Sequence, residues 1–256
     1  MRDYWGYGKA SRPMLPMIAI PTTAGTGSES QTSPVITDVE THAKMICGDT
    51  KAAFRAAILD PKLSVTMSRA LTASSGFDAI SHAIETLVST RRNALSDCFS
   101  RSSWRLLNTS FERVLKEPDD LEARGAMMLG AYFGGMAMEN SNLGAAHACA
   151  TPLATTYAMS HGAAIAVLLA HVVEWNADWN DPQARRQYEE LNAGDLAGRL
   201  RELGSIADLP MSLADAGVPE QALPRLAEEA GSQWTGKFNP RHFDAAGALE
   251  IYQNAF

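Results

Sequence analysis

An acid and an imidazole stand four positions apart in the stretch FDAISHAIE, residues 77–85. Asp78 and His82 share one face of a predicted helix, because residues i and i+4 are neighbours on a helix surface. Two interpretations are open for this pair: an ion pair or hydrogen bond on the helix surface, or one half of a metal site. Glu85 follows about one turn later, either as a group that orients His82 from behind or as an exposed side chain.

Two further candidate histidines, His147 and His161, lie in a segment rich in glycine and alanine, residues 141–176, which also contains His171. His147 is expected near the end of an apolar helix that Pro152 breaks. A ten-residue connection is expected next, and Ser160 then caps a helix whose first residue is His161. We expect these two helix ends to meet near one point. The alternative is that each histidine is a separate core or capping residue.

One carboxylate and three imidazoles form a mixed nitrogen and oxygen donor set. Such a set suits Fe(II), Zn, Co or Ni better than Mg or Ca, which prefer oxygen ligands. A metal held in this way acts as a Lewis acid on a substrate oxygen.

A glycine-containing loop, TTAGTGSE, follows an apolar run that ends at Pro21. Gly25 and Gly27 permit close backbone approach, and neighbouring threonines offer hydroxyl groups. The loop is not G-x-G-x-x-G, because position 30 is Ser, and no Gly-Lys-Ser/Thr follows as in a P-loop. Both a tight turn and a ligand-binding loop remain open.

The elements that must position these groups fall into two parts. A short apolar run at residues 14–21 predicts a buried strand, residues 54–60 predict another short strand, and residues 33–49 predict a hairpin. From about residue 68, helical spacing dominates to the C-terminus. We therefore expect residues 1–67 to be a small α/β part and residues 68–256 to be an all-α domain.

The first long helix has its own signals. Ser74 and Ser75 are candidate N-cap residues. A stripe with 3-4-3 spacing predicts the core-facing side, namely Phe77, Ile80, Ile84 and Leu87.

Composition excludes several classes of function. The net charge of the 256 residues is −7, which argues against a nucleic-acid partner. No apolar run is long enough to span a bilayer, and the N-terminus does not resemble a signal peptide. Three cysteines without a CxxC pattern predict reduced thiols in a cytoplasmic protein.

Four segments in this order resemble signatures of the iron-containing (group III) alcohol dehydrogenase family: PTTAGTGSE at 21–29, GFDAISHAIE at 76–85, LGAAHACATPL at 143–153 and HGAAIAVLLAHVVEWN at 161–176. The segment NPR at 239–241 resembles a fifth, C-terminal signature. The resemblance extends over nearly the whole chain, and it implies a mainly helical, dehydroquinate synthase-like architecture.

The resemblance also implies a chemistry. It implies a metal, Fe(II) or Zn, with the ligands Asp78, His82, His147 and His161. It implies an NAD or NADP site lined by Thr22, Thr23, Gly25, Thr26, Gly27 and Lys44. The implied reaction is hydride transfer between an alcohol carbon and the nicotinamide, with the metal polarising the substrate oxygen.

The sequence departs from the family pattern in two places. Thr151 stands where members commonly have a second histidine near the nicotinamide, and a hydroxyl relays a proton through water but holds no charge near neutral pH. The chain also begins after the family's pyrophosphate-binding turn and its acidic ribose-binding residue. We expect most of the N-terminal nucleotide-binding region to be missing.

These observations support three functional hypotheses. The leading one is an NAD(P)-linked, metal-dependent alcohol dehydrogenase or aldehyde reductase. The second is a metal-binding remnant with a structural or interaction role, and the third is metal-assisted hydration or hydrolysis. Strands that belong to a larger sheet leave an open edge, which predicts a homodimer.

Overall fold

The computed structural model describes residues 1–40, 44–179 and 182–256, and for Thr37 and Lys44 it describes the backbone alone. Short strands occupy the first sixty residues and helices follow. The strands are β1 (Gly6–Tyr7), β2 (Ile18–Ala19), β3 (Val35–Thr37), β4 (Lys44–Gly48) and β5 (Ala56–Ala57).

The strands form two small sheets. In the first, β4 lies between β1, to which it is parallel, and β3, to which it is antiparallel, so the predicted hairpin is confirmed. In the second, β2 and β5 are parallel. The expectation of a buried strand at residues 14–21 is correct for Ala19, which is 8% exposed, and wrong for Ile18, which is 61% exposed. Among the described residues these two strands pair only with each other, which leaves their outward side chains in solvent.

The helices are α1 (Arg69–Val88), α2 (Ala94–Lys116), α3 (Leu121–Asn140), α4 (Ala145–Tyr157), α5 (His161–Ala177), α6 (Pro182–Leu191), α7 (Leu196–Ile206), α8 (Leu223–Gly231) and α9 (Ala245–Asn254). α1 lies at the centre, in contact with α2, α3, α5 and α6. None of the helices in the described ranges combines the length and the apolar character needed to cross a membrane.

The beginning of α1 differs from the prediction. Ser68 caps the helix, because its hydroxyl accepts from the backbone N–H of Leu71 at 3.2 Å. Ser74 and Ser75 therefore lie inside the helix, one to two turns after its start. The predicted core stripe is confirmed, and its four side chains are fully buried: Phe77, Ile80, Ile84 and Leu87.

The helix that carries His147 also differs from the prediction. α4 continues through Pro152 to Tyr157, and only residues 158–160 separate it from α5. His147 therefore lies in the first turn of α4 and not near a helix end created by proline. An interior proline costs roughly 3 kcal/mol, but α4 is packed on residues such as Cys149 and Leu153, both fully buried. Tertiary packing outweighs the local penalty.

The expected cap of α5 is confirmed, with Ser160 accepting from the backbone of Ala163.

Two glycines of the helical part provide a matched test of packing. A Cβ on Gly162 of α5 would lie 1.8 Å from the carbonyl oxygen of Ser74, whereas a Cβ on Gly125 of α3 would meet only Pro61, at 3.8 Å. We expect Gly162→Ala to lower the free energy of unfolding by about 2–3 kcal/mol, because backbone must move to relieve the clash. Gly125→Ala should raise it by about 0.5–1 kcal/mol through helix propensity. Chemical denaturation measures both, and equal effects of the two variants would contradict the α1–α5 crossing.

Candidate metal centre

Three ionisable side chains of α1 are buried in the helical part. Asp78, His82 and Glu85 are 6%, 3% and 3% exposed. An ion pair on the helix surface, the first interpretation of this segment, is therefore excluded. Burial of ionisable groups is costly unless they are paired or coordinate a metal, so the site needs partners from other helices.

α4 and α5 supply these partners. The Oδ1 atom of Asp78 lies 3.4 Å from Nε2 of His82, 3.5 Å from Nε2 of His147 and 3.6 Å from Nε2 of His161. The His147 ring stacks on the His82 ring, with centroids 5.1 Å apart, and lies 5.0 Å from the His161 ring. The structure thus brings together the four side chains expected to act as ligands.

The mutual spacing of donor atoms from Asp78, His147 and His161 fits a transition-metal centre, whereas His82 is close to Asp78 but is not part of this mutually spaced group. Ligand atoms about 2.1 Å from a tetrahedral ion are separated by about 3.4 Å, close to the three distances from Asp78 Oδ1. One donor atom from each of Asp78, His147 and His161 lies within 4.8 Å of the others. Asp78 Oδ1 and His147 Nε2 are buried and make no hydrogen bond within residues 1–40, 44–179 and 182–256. Two buried polar atoms without hydrogen-bond partners, 3.5 Å apart, are the arrangement a metal would complete.

Charge balance in the site is set by the carboxylates. Burial disfavours ionisation of Asp78, but the imidazoles around it, His82 foremost, hold the pKa of its carboxyl below its usual range. Burial likewise opposes protonation of His147, but Glu85 and Asp78 outweigh it and raise the pKa of His147 to about 9. For His82, burial dominates and lowers the pKa. A dense cluster of opposite charges is therefore present at the site.

Glu85 contacts a different histidine from the one expected. Its Oε2 meets Nδ1 of His147 and its Oε1 accepts from the backbone N–H of Ala146 at 2.8 Å. The expectation that Glu85 orients His82 is wrong: both Glu85 oxygens contact α4, and His82 Nδ1 has no hydrogen-bond partner among the described residues. The alternative of an exposed glutamate is also wrong.

The N-terminus of α4 depends on residues far away in sequence. Gly144 makes no side-chain cap, and Asn239 Oδ1 accepts from the Ala145 N–H at 3.3 Å. A Cβ at Gly144 would lie 2.9 Å from Asn239 Oδ1. Asn239 and Asn176 pair through their amides, with Asn239 Nδ2 2.7 Å from Asn176 Oδ1. Sequence reasoning did not assign these amides; the NPR segment at 239–241 was the available signal for Asn239.

The glycine loop is seated on α1, the helix that carries the candidate ligands Asp78 and His82, and on α3. A Cβ at Gly25 would lie 2.8 Å from Ser75 of α1, and one at Gly27 would lie 2.6 Å from the Ala131 carbonyl of α3. Gly27 has φ +59°, in the left-handed region that favours glycine. Ser75 is about one turn before Asp78, so the loop runs beside the candidate metal centre.

The polar side chains of the loop differ in exposure. Thr22 and Thr26 are exposed and Thr23 is half-buried. Thr26 Oγ1 lies 3.3 Å from Ser28 Oγ. Lys44 begins β4, and its side chain lies outside the described part of the chain.

Thr151 lies one turn after His147 in α4. Its hydroxyl donates to the His147 carbonyl at 3.0 Å. Its side chain is thus fixed next to the ligand cluster. Of the remaining histidines, the His242 side chain is 82% exposed and His171 contacts Glu174, whereas His42 lies outside the described residues.

Comparison with known sequences decides the family. Residues 1–61 match the family described as iron-containing alcohol dehydrogenase, and residues 72–256 match the C-terminal part of the Fe-containing alcohol dehydrogenase family. The chain belongs to the iron-containing alcohol dehydrogenase family. The family expected from the motifs is confirmed, as is the mainly helical architecture of this alcohol dehydrogenase fold.

Individual relatives agree with this assignment. Alcohol dehydrogenase 4 of Schizosaccharomyces pombe is 36% identical over 247 residues, which cover 93% of this chain and 58% of the yeast protein. The NAD-dependent methanol dehydrogenase of Bacillus methanolicus is 31% identical over 100% of this chain and 70% of its own length. The crystal structure of 1,3-propanediol oxidoreductase is 32% identical with a TM-score of 0.93, covering 99% of this chain and 69% of that one. The chain thus spans between about three fifths and seven tenths of these alcohol dehydrogenase relatives.

The ligand assignment predicts metal content. We expect the purified protein to bind about one divalent transition metal per chain. Removing a ligand by His147→Ala or Asp78→Ala should weaken metal affinity at least about 10-fold. Loss of even a group that hydrogen-bonds to a ligand typically lowers metal affinity 10–100-fold. His242→Ala, a substitution of the exposed histidine, is the matched control and should bind normally. Elemental analysis after dialysis measures this, and full retention in both ligand variants would contradict the assignment.

Proposed function

We propose that this chain catalyses metal-dependent hydride transfer between an alcohol or aldehyde and a nicotinamide cofactor. The observation that carries the proposal is the convergence of three Nε2 atoms on one buried carboxylate oxygen, at 3.4–3.6 Å. Family membership gives this cluster its reaction class, because the relatives reported above are named as dehydrogenases or an oxidoreductase.

The proposed ligands are Asp78, His82, His147 and His161. A bound Fe(II) or Zn ion would supply Lewis-acid polarisation of the substrate oxygen. The side chains themselves hold the site in place: Asp78 provides the negative charge among the imidazoles. The His161 side chain is 35% exposed, whereas the His82 and His147 side chains are 4% and 8% exposed. We therefore propose that substrate approaches on the His161 side.

The glycine loop is the proposed cofactor contact. Its exposed hydroxyls and close backbone approach suit a polar ligand that lies over α1, near the metal ligands. The proposed set is Thr22, Thr23, Gly25, Thr26, Gly27 and Lys44. The methanol dehydrogenase relative is NAD-dependent by name, and we propose NAD or NADP for this chain.

Thr151 is the proposed proton-relay residue. Its hydroxyl hydrogen is directed to the His147 carbonyl, so its oxygen retains lone pairs that accept a hydrogen bond from water or substrate. To relay a proton, the Thr151 hydroxyl must release its hydrogen bond to the His147 carbonyl and donate to water or substrate instead. Proton release then depends on water and not on a titrating imidazole.

Two other functions explain the structure less well than dehydrogenation does. A metal-binding remnant with a structural role does not explain why a glycine loop is held against Ser75, one turn from a ligand. Metal-assisted hydrolysis requires no such loop either. The comparisons do not favour either alternative, since relatives that match nearly the whole chain are named oxidoreductases.

Turnover tests the proposal directly. We expect the Fe(II)- or Zn-loaded protein to change nicotinamide absorbance with a panel of short alcohols and aldehydes. Asp78→Ala should lower kcat/KM at least 100-fold, about 2.7 kcal/mol of transition-state stabilisation, because the polarising ion is lost. His242→Ala should retain activity. Absence of turnover in the metal-loaded protein, with metal binding intact, would favour the structural alternative.

Organisation and location are further parts of the proposal. We propose a division into a cofactor-binding part, residues 1–67, and a helical metal-binding part, residues 68–256. The boundary between the two family matches, between residues 61 and 72, supports this division.

The three cysteines are free thiols, Cys47, Cys98 and Cys149. Free thiols are typical of a reducing compartment, and we propose a cytoplasmic location.

A homodimer is the proposed assembly. Large apolar side chains are exposed in the first sixty residues, among them Leu15 at 85% and Val39 at 86%. Such surface tends to be covered by a partner. Light scattering at micromolar concentration should give twice 27.6 kDa. Leu15→Lys should weaken the dimer, whereas Leu95→Lys on α2, also an exposed leucine, should not. A mass of 27.6 kDa that persists after tenfold concentration would contradict the dimer.

A further inference from the structure

Glu85 is the one buried carboxylate of the site that is not a proposed ligand. It lies on α1 about two turns after Asp78 and is 3% exposed. Its charged partner is His147; none of the lysines and arginines in the described ranges forms an ion pair with it. A buried carboxylate whose charged partner is an imidazole is held at a cost that calls for a specific function.

One oxygen of Glu85 replaces a missing helix cap. The first turn of α4 has backbone N–H groups without intrahelical partners, and Gly144 has no side chain to satisfy them. Oε1 of Glu85 accepts from the Ala146 N–H at 2.8 Å. A Cβ at Gly144 would lie 3.1 Å from this oxygen, so a residue with its own capping side chain would displace the carboxylate.

The other oxygen faces the ring of His147. Oε2 contacts Nδ1, and a carboxylate only accepts hydrogen bonds, so Nδ1 must carry the hydrogen. In the neutral ring the lone pair then lies on Nε2, the atom 3.5 Å from Asp78 Oδ1. The contact thus selects the tautomer that offers Nε2 to a metal.

We propose that Glu85 is a positioning residue that couples the start of α4 to the metal-binding tautomer of His147. The two oxygens act on residues next to each other in sequence, so a single carboxylate fixes both the helix end and the ring. This inference rests on the proposed function only in taking His147 as a metal ligand.

Glu85→Gln tests the coupling with a side chain of the same shape. A glutamine has one acceptor oxygen and one donor NH2 group. If its oxygen accepts from Ala146, its NH2 faces Nδ1 of His147 and moves the ring hydrogen to Nε2, which blocks coordination. If the amide flips, its NH2 opposes the Ala146 N–H and the cap is lost.

Metal affinity is the first measurement. We expect Glu85→Gln to weaken Zn(II) binding at least about 10-fold in titration calorimetry, with a circular dichroism spectrum like that of the unaltered protein. Glu112→Gln is the matched control, because Glu112 pairs with Lys116 on the outer side of α2. Affinity within twofold of the unaltered protein in Glu85→Gln would overturn the inference.

The unaltered protein supplies a second measurement that does not depend on a variant folding. In the zinc-loaded, 15N-histidine-labelled protein, His147 should show a slowly exchanging Nδ1–H proton in nitrogen-correlated NMR spectra. A hydrogen on Nε2 of His147 would overturn the inference. If His147→Ala and Asp78→Ala lose metal while Glu85→Gln does not, the proposed metal centre stands and the role of Glu85 fails; retention by all three contradicts the metal centre itself.

Discussion

Burial of carboxylates in the central helix is the constraint on which the rest of the structure depends. α1 is packed on several sides by other helices, yet it carries Asp78 and Glu85 inside the protein. Neither has a lysine or arginine partner among the described residues, so imidazoles and backbone N–H groups must compensate both charges. The positions of α4 and α5 follow from this requirement, because these helices bring the histidines that Asp78 and Glu85 need.

Close approach of backbones makes that arrangement possible. α5 crosses α1 where Gly162 meets the Ser74 carbonyl, and the glycine loop meets α1 at Ser75. At both places a Cβ on the glycine would clash with α1, so any larger residue would push the two elements apart. The same geometry places the loop and the ligand cluster on neighbouring turns of one helix. A cofactor at the loop and a metal at the cluster would therefore lie on neighbouring turns of α1, which supports the proposed dehydrogenase over an isolated metal site.

The side-chain amides of Asn239 and Asn176 connect the candidate metal centre to the C-terminal segment. Asn239 satisfies the first N–H of α4 and exchanges hydrogen bonds with Asn176 of α5. Tyr188 of α6 joins through its hydroxyl, 3.1 Å from Asn176 Nδ2. Polar groups buried in this way stabilise one arrangement only when each finds a partner. The turn that carries His147 is thus held by residues from α1, α5 and the segment after α8.

The sequence by itself determined the candidate ligands and the family. Helical spacing placed Asp78 and His82 on one face, Ser160 marked the start of α5 at His161, and the ordered motifs indicated the family. Such features depend on local periodicity and capping, which a linear sequence records. The tertiary structure decided what depends on contacts between distant segments. α4 runs through Pro152 because packing outweighs a local penalty, and Glu85 serves His147 and not His82 because a second helix lies against it. Ile18 of β2 and Ala56 of β5 are exposed for the same reason: burial is set by neighbouring elements, not by the apolar run itself.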